Sequence, residues 1–252
     1  MTTHAINRTT RTNCTSLTDR ILAVLPSVDV MGFVCLLVFF NGHLLGNGDI
    51  RSFLFLPDAV TAGQWWRIIT HPFVHITWYH LLLDAGAFLV LYTGLKANTA
   101  SRLVHVALCG AFSLAAACLF SLAVYSIGLS GIAHGLMAIS ALEMMQSKSG
   151  IKIGTACLLL VVTKSIYELF IGDAFFSFLH FGLCGTPLVA CHAGGVTGGI
   201  VSFYLGKIIY PRGGCGTPRI KPEADNKFYI FCILAYTTDG KEAPCARGEQ
   251  DI

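Results

Sequence analysis

Five side chains able to do proton-transfer or nucleophilic chemistry lie inside otherwise apolar runs of this chain. Ser130 and His134 occur in Gly128-Leu129-Ser130-Gly131-Ile132-Ala133-His134, His80 and Asp84 in Trp78-Tyr79-His80-Leu81-Leu82-Leu83-Asp84, and His192 in Cys191-His192-Ala193-Gly194-Gly195. A serine hydroxyl is a poor nucleophile until a neighbouring base removes its proton, and His192 is the natural base. No third residue is evident to orient that imidazole, so the expected pair is a Ser130–His192 dyad. The chemistry is acyl transfer, with the Ser130 amide as one oxyanion donor and His80 as a second. Each piece alone has a plainer reading. A Gly-x-Ser-Gly or Gly-x-x-x-Gly segment in a glycine-rich membrane protein usually serves helix packing. The joint arrangement carries the argument.

The elements that must position these groups are membrane helices. Of the 252 residues, 54% are hydrophobic and only 12% charged, where a soluble domain carries about 25% charged residues. A spanning helix needs about 20 mostly apolar residues. Six stretches approach this: Val28–Leu45, Trp78–Leu95, Leu103–Val124, Ile127–Met145, Ile153–Ile171 and Pro187–Tyr210. The first is the weakest, since it contains Asp29, but no small-residue cleavage site follows Phe40 and it is expected to be a span rather than a signal peptide. The expected architecture is all-α: a cytoplasmic segment 1–27, a six-helix membrane domain 28–210 and a cytoplasmic tail 211–252. Lys and Arg are in excess in alternate loops on the side of both termini, so both ends are expected in the cytoplasm.

In that topology spans two, four and six all start on the extracytoplasmic side. His80, Asp84, Ser130, His134 and His192 then share a depth, because an offset of a few residues is only about one turn. His80 and Asp84 are i, i+4 on one helix face, as are Ser130 and His134. Gly131 and Gly135 on span four, and Gly195 and Gly199 on span six, have the spacing that lets two membrane helices touch backbone to backbone. That contact would bring Ser130 and His192 together. The long loop of about residues 46–77, with Trp65 and Trp66, is expected at the headgroup level.

Other classes find less support. The formal net charge is +3, and no basic block or acidic tail points to nucleic acid. The ten cysteines form no Cys-x-x-Cys pair and read as small apolar residues, with no metal or disulfide framework. His71, His75, His80 and Asp84 have a spacing that suits Zn²⁺, but Pro72 interrupts the helical register. No cofactor or metal is expected.

Together these residues resemble the rhomboid family of intramembrane serine proteases over residues 28–210. Trp66-Arg67-Ile68-Ile69-Thr70-His71 is similar to the family's Trp-Arg motif; His71, Phe73, His75 and His80 follow at family spacing. Gly128-Leu129-Ser130-Gly131 resembles the nucleophile motif, and His192 to Gly199 the His-x-x-Gly-x-x-x-Gly segment of the last span. Gly63-Gln64-Trp65-Trp66-Arg67 looks most like the rhombosortase-type bacterial branch. The resemblance implies Ser130 as nucleophile, His192 as base, and His80, Asp84 and the Ser130 amide around the oxyanion, with Trp66 and Arg67 steadying the first loop. It also implies membrane-protein substrates with a transmembrane or C-terminal anchor helix, cleaved near the outer face of an inner membrane.

Two positions depart from the family pattern. Asp84 stands where asparagine is usual. It either carries a proton and donates as asparagine would, or stays ionised and holds His80 protonated; the second is favoured. His134 stands where tyrosine is common; it either stacks beneath His192 or competes as the base, and stacking is favoured. A catalytically silent relative would lack Ser130 or His192. A transporter would need a path open to both faces.

Overall fold

The computed structural model describes residues 27–46, 49–120, 128–173 and 189–209. The N-terminal segment up to residue 26, the tail 211–252, and the expected span ends at 121–124, 127, 187–188 and 210 lie outside the described residues. The described residues contain helices and no strand. Helix α1 is Val28–Phe40, α2 Trp78–Gly94, α3 Thr99–Phe120, α4 Ser130–Met144, α5 Ile151–Ile171 and α6 Ala190–Ile209. Short helical turns at Gly42–Leu45, Ile50–Ser52, Pro57–Thr61, Arg67–Thr70 and His71–Phe73 shape the first loop.

Helix α4 forms the centre of the bundle. It packs against α2, α3, α5 and α6, and Leu136, Ala138 and Ile139 have no exposed surface. Helix α4 is buried on nearly every side, as a helix enclosed by neighbours must be. Its 15 residues are roughly 22 Å long, less than the about 30 Å of a hydrocarbon core. The outer helices keep an apolar exterior: Leu103, Val104, Leu119 and Phe120 on α3, and Leu159, Leu160, Ile166 and Phe170 on α5, are exposed. In water such faces would be a liability; against lipid they are matched. Both α3 and α5 are long and apolar enough to cross a membrane, and a third span results if the turns from Arg67 to Phe73 and α2, bent by 99°, count as one.

Glycines set how closely α6 approaches its neighbours. A Cβ on Gly195 would collide with the Gly131 carbonyl, and one on Gly199 with the Gly135 carbonyl. Gly194 and Gly198 turn the other way, where a Cβ would run into α3 at Phe112, Ala116 and Leu108. The doublets Gly194-Gly195 and Gly198-Gly199 therefore seat α6 against two helices at once. The α4–α6 contact is the one expected from the glycine spacing.

The first expected span is shorter as a helix than its apolar run. It stops at Asn41, whose amide donates to Leu37 O and Phe73 O (both 2.7 Å). Asn41 Oδ1 in turn accepts the His75 N–H at 2.9 Å. One buried side chain thus ends α1 and fastens the far end of the loop. Phe33 on α1 packs its ring against Phe73, Phe88 and Tyr92, closing α1 onto α2.

Candidate active site

Ser130 is the first residue of α4, and the turn before it is tightly built. Gly128 has φ +89°, a conformation that favours glycine. Its N–H donates to His71 O at 3.1 Å, and the Leu129 N–H donates to Asp84 Oδ2 at 2.9 Å. A Cβ on Gly128 would sit 2.8 Å from Asp84 Oδ2 and 3.0 Å from His80 Nε2. Asp84 is thus an acceptor that ties the serine's turn to α2. Asp84 Oδ2 also lies 3.3 Å from His80 Nε2, the expected i, i+4 contact, and 3.6 Å from His75 Nε2. The first N–H groups of a helix have no partner within the helix, so the Ser130 amide heads an arrangement suited to an oxyanion.

On the other side of the serine, His192 from α6 brings Nε2 to 3.2 Å from Ser130 Oγ. The two residues expected to meet across the α4–α6 contact do so. Cys191 Sγ lies 3.9 Å from the same hydroxyl. His134 is stacked on His192, with ring centroids 4.1 Å apart and planes at 13°. Its Nδ1 faces Ser130 O at 2.7 Å and its Nε2 faces Lys164 Nζ at 2.9 Å. Both nitrogens are engaged away from the serine hydroxyl, which is the geometry of the stacking role.

A residue not anticipated from sequence joins the site. Glu168, near the C-terminal end of α5, places Oε2 at 2.8 Å from His192 Nδ1, while its Oε1 meets Lys164 Nζ at 2.8 Å. The His192 ring thus faces a carboxylate at Nδ1, a contact that the expected pair of Ser130 and His192 did not include. A signal was present: Lys164 and Glu168 are two charges four residues apart inside an apolar span, and ionisable groups there are usually functional. Because α5 runs opposite to α4, the end of an odd-numbered helix reaches the level where the even-numbered ones begin. His134, Glu168 and His192 are also the one group of metal-ligating side chains close enough to share an ion among the described residues, with ligand atoms within 4.8 Å. The Lys164 ammonium bonds to two of these three.

The first loop is held from within. Arg67 is buried; its Nη1 donates to Arg51 O (2.6 Å) and Leu54 O (2.8 Å), and its Nε to Gln64 Oε1 (2.8 Å). Trp66 Nε1 donates to Ser52 O at 3.3 Å. A guanidinium presents its donors in a fixed planar fork, which suits Arg67 to these three acceptors. His71 is buried beneath Phe55, and burial pushes its imidazole down to about 4. His43, another residue the sequence did not mark, brings Nε2 to 2.8 Å from His75 O.

Fold and site together define a helical membrane protein with a serine, an imidazole and a carboxylate in hydrogen-bonded series. Residues 62–208 match the family model described as Rhomboid domain, and the chain belongs to the rhomboid family, whose members are generally intramembrane serine proteases, some of them inactive. No curated protein and no solved structure matches the chain.

Proposed function

We propose that this protein is an intramembrane serine endopeptidase with Ser130 as nucleophile and His192 as general base. The observation that carries this reading is the 3.2 Å approach of His192 Nε2 to Ser130 Oγ. His192 takes the hydroxyl proton as Oγ attacks the scissile carbonyl, and later gives it to the leaving amine. The oxyanion is stabilised by the Ser130 amide and by His80, which Asp84 holds in place. Water then hydrolyses the acyl-enzyme.

The membrane domain is 28–210, with six spans, both termini cytoplasmic and the site beneath the outer leaflet of an inner membrane. Agreement of the six long apolar runs with the Lys and Arg distribution supports this topology. Substrates are membrane proteins whose transmembrane or C-terminal anchor helix unwinds near the extracytoplasmic face. The Gly63-Gln64-Trp65-Trp66-Arg67 run supports a rhombosortase-type role in sorting or releasing surface proteins. Presence of both Ser130 and His192 argues against a silent relative. Purified protein in detergent, treated with a fluorophosphonate, is expected to label as wild type and to lose labelling as Ser130→Ala and as His192→Ala. Labelling that survives in Ser130→Ala overturns the assignment.

A further inference from the structure

We propose that Glu168 is a positioning residue that completes a Ser130–His192–Glu168 triad, and that Lys164 dictates how its two oxygens are used. This inference rests on the serine-peptidase reading above. A histidine serves as base only if its proton sits on the nitrogen away from the serine. The partner at Nδ1 decides that. An ionised carboxylate only accepts hydrogen bonds, so Glu168 Oε2 at 2.8 Å requires Nδ1–H on His192. Nε2 then presents its lone pair to Ser130 Oγ–H.

Lys164 fixes the rest. Its ammonium only donates. It gives one hydrogen to Glu168 Oε1 and another to His134 Nε2. The proton of His134 is therefore on Nδ1, where it donates to Ser130 O. One ammonium so assigns both imidazoles, and His134 lies beneath His192 as a neutral ring. Glu168 is 1% exposed, and a buried carboxylate without a partner is costly; the Glu168–Lys164 pair is neutral before turnover begins. During turnover the Ser130 Oγ–H bond breaks, the proton moves to His192 Nε2, and Oγ bonds to the carbonyl carbon while the carbonyl electron pair moves onto oxygen. The imidazolium formed lies against Glu168, which takes up no proton.

A merely structural Glu168–Lys164 pair would tie α5 to α4 and α6 without setting the tautomer. Three variants separate the two roles in the full chain in detergent, read by the maximal rate of fluorophosphonate labelling and the concentration giving half of it. In Glu168→Gln, Lys164 claims the amide oxygen and turns the NH₂ toward His192 Nδ1, forcing the proton onto Nε2. The maximal rate is expected to fall about 10³-fold or more, as loss of a triad carboxylate does, with the half-saturating concentration unchanged. Glu168→Asp keeps a carboxylate and is expected to recover part of the rate. Adding Lys164→Met to Glu168→Gln frees the amide to rotate, and is expected to restore about tenfold over Glu168→Gln, a non-additivity that a structural pair would not produce.

Nitrogen-15 spectra of histidine-labelled wild type give a reading that needs no variant to fold. The triad requires protonation at Nδ1 in both His192 and His134. Protonation of resting neutral His192 at Nε2, or a Glu168→Gln rate within about threefold of wild type, overturns the proposal. Wild type that labels and Ser130→Ala that does not leave the peptidase reading standing whatever Glu168 does. Absence of labelling in wild type removes both.

Discussion

The two walls around Ser130 are built on opposite plans. On the α5–α6 side, His192, Glu168, Lys164 and His134 form a closed series of bonds between 2.7 and 2.9 Å from Ser130 O round to His192 Nδ1. On the α2 side, both ring nitrogens of His75 and Nδ1 of His80 make no hydrogen bond to the described residues, and Asp84 approaches the two imidazoles at 3.6 and 3.3 Å. A fully bonded wall holds a base in one tautomer and one orientation. On the proposed peptidase reading, a loosely bonded wall leaves imidazole nitrogens for charge that exists only during the reaction. This division suits catalysis, which depends on interactions stronger in the transition state than before it.

The contrast depends first on the α4–α6 contact that brings the closed wall to the serine. Gly195→Ala places a methyl group against the Gly131 carbonyl and is expected to cost about 3 kcal/mol, with labelling lost as Ser130 and His192 part. Gly206→Ala on the same helix has its nearest neighbour at 4.0 Å, and its melting temperature should match wild type. Equal melting of both variants would show that close approach does not govern the pair.

On the open wall, Asp84 is the anchor. Asp84→Asn keeps an oxygen for the Leu129 N–H and is expected to retain labelling. Asp84→Leu leaves that buried amide without its partner, costs about 1–3 kcal/mol, and should lower the labelling rate by loosening the serine's turn. Equal rates for all three would remove Asp84 from the site. A smaller effect comes from His71, whose carbonyl holds Gly128. The folded protein keeps this ring neutral down to about 4 against 6.5 in the unfolded chain. Its contribution is present above pH 6.5 and is lost as pH falls toward 4. Stability at pH 5.5 should be about 1 kcal/mol below that at pH 7, and His71→Gln should flatten that difference in thermal melts.

The open wall was more legible in the sequence than the closed one. His80 and Asp84 are four residues apart on one helix, so local periodicity alone puts them together. Ser130 and His192 were readable across 62 residues because matching glycine pairs announce a backbone contact. Glu168 carries no such mark. Its partner sits 24 residues away on a helix running the other way, and spacing along one helix says nothing about the rotation of its neighbour.

Sequence by itself determined the helical class, the apolar exteriors and the α4–α6 contact. These follow from composition and from periods of four, which act over a few residues of chain. Tertiary structure decided that α5 turns Lys164 and Glu168 inward, that Asp84 accepts the Leu129 amide, and which side chains face the ring nitrogens of His134 and His192. Each of these depends on which side chains from different helices come within hydrogen-bond distance, and that is settled only when the whole bundle packs.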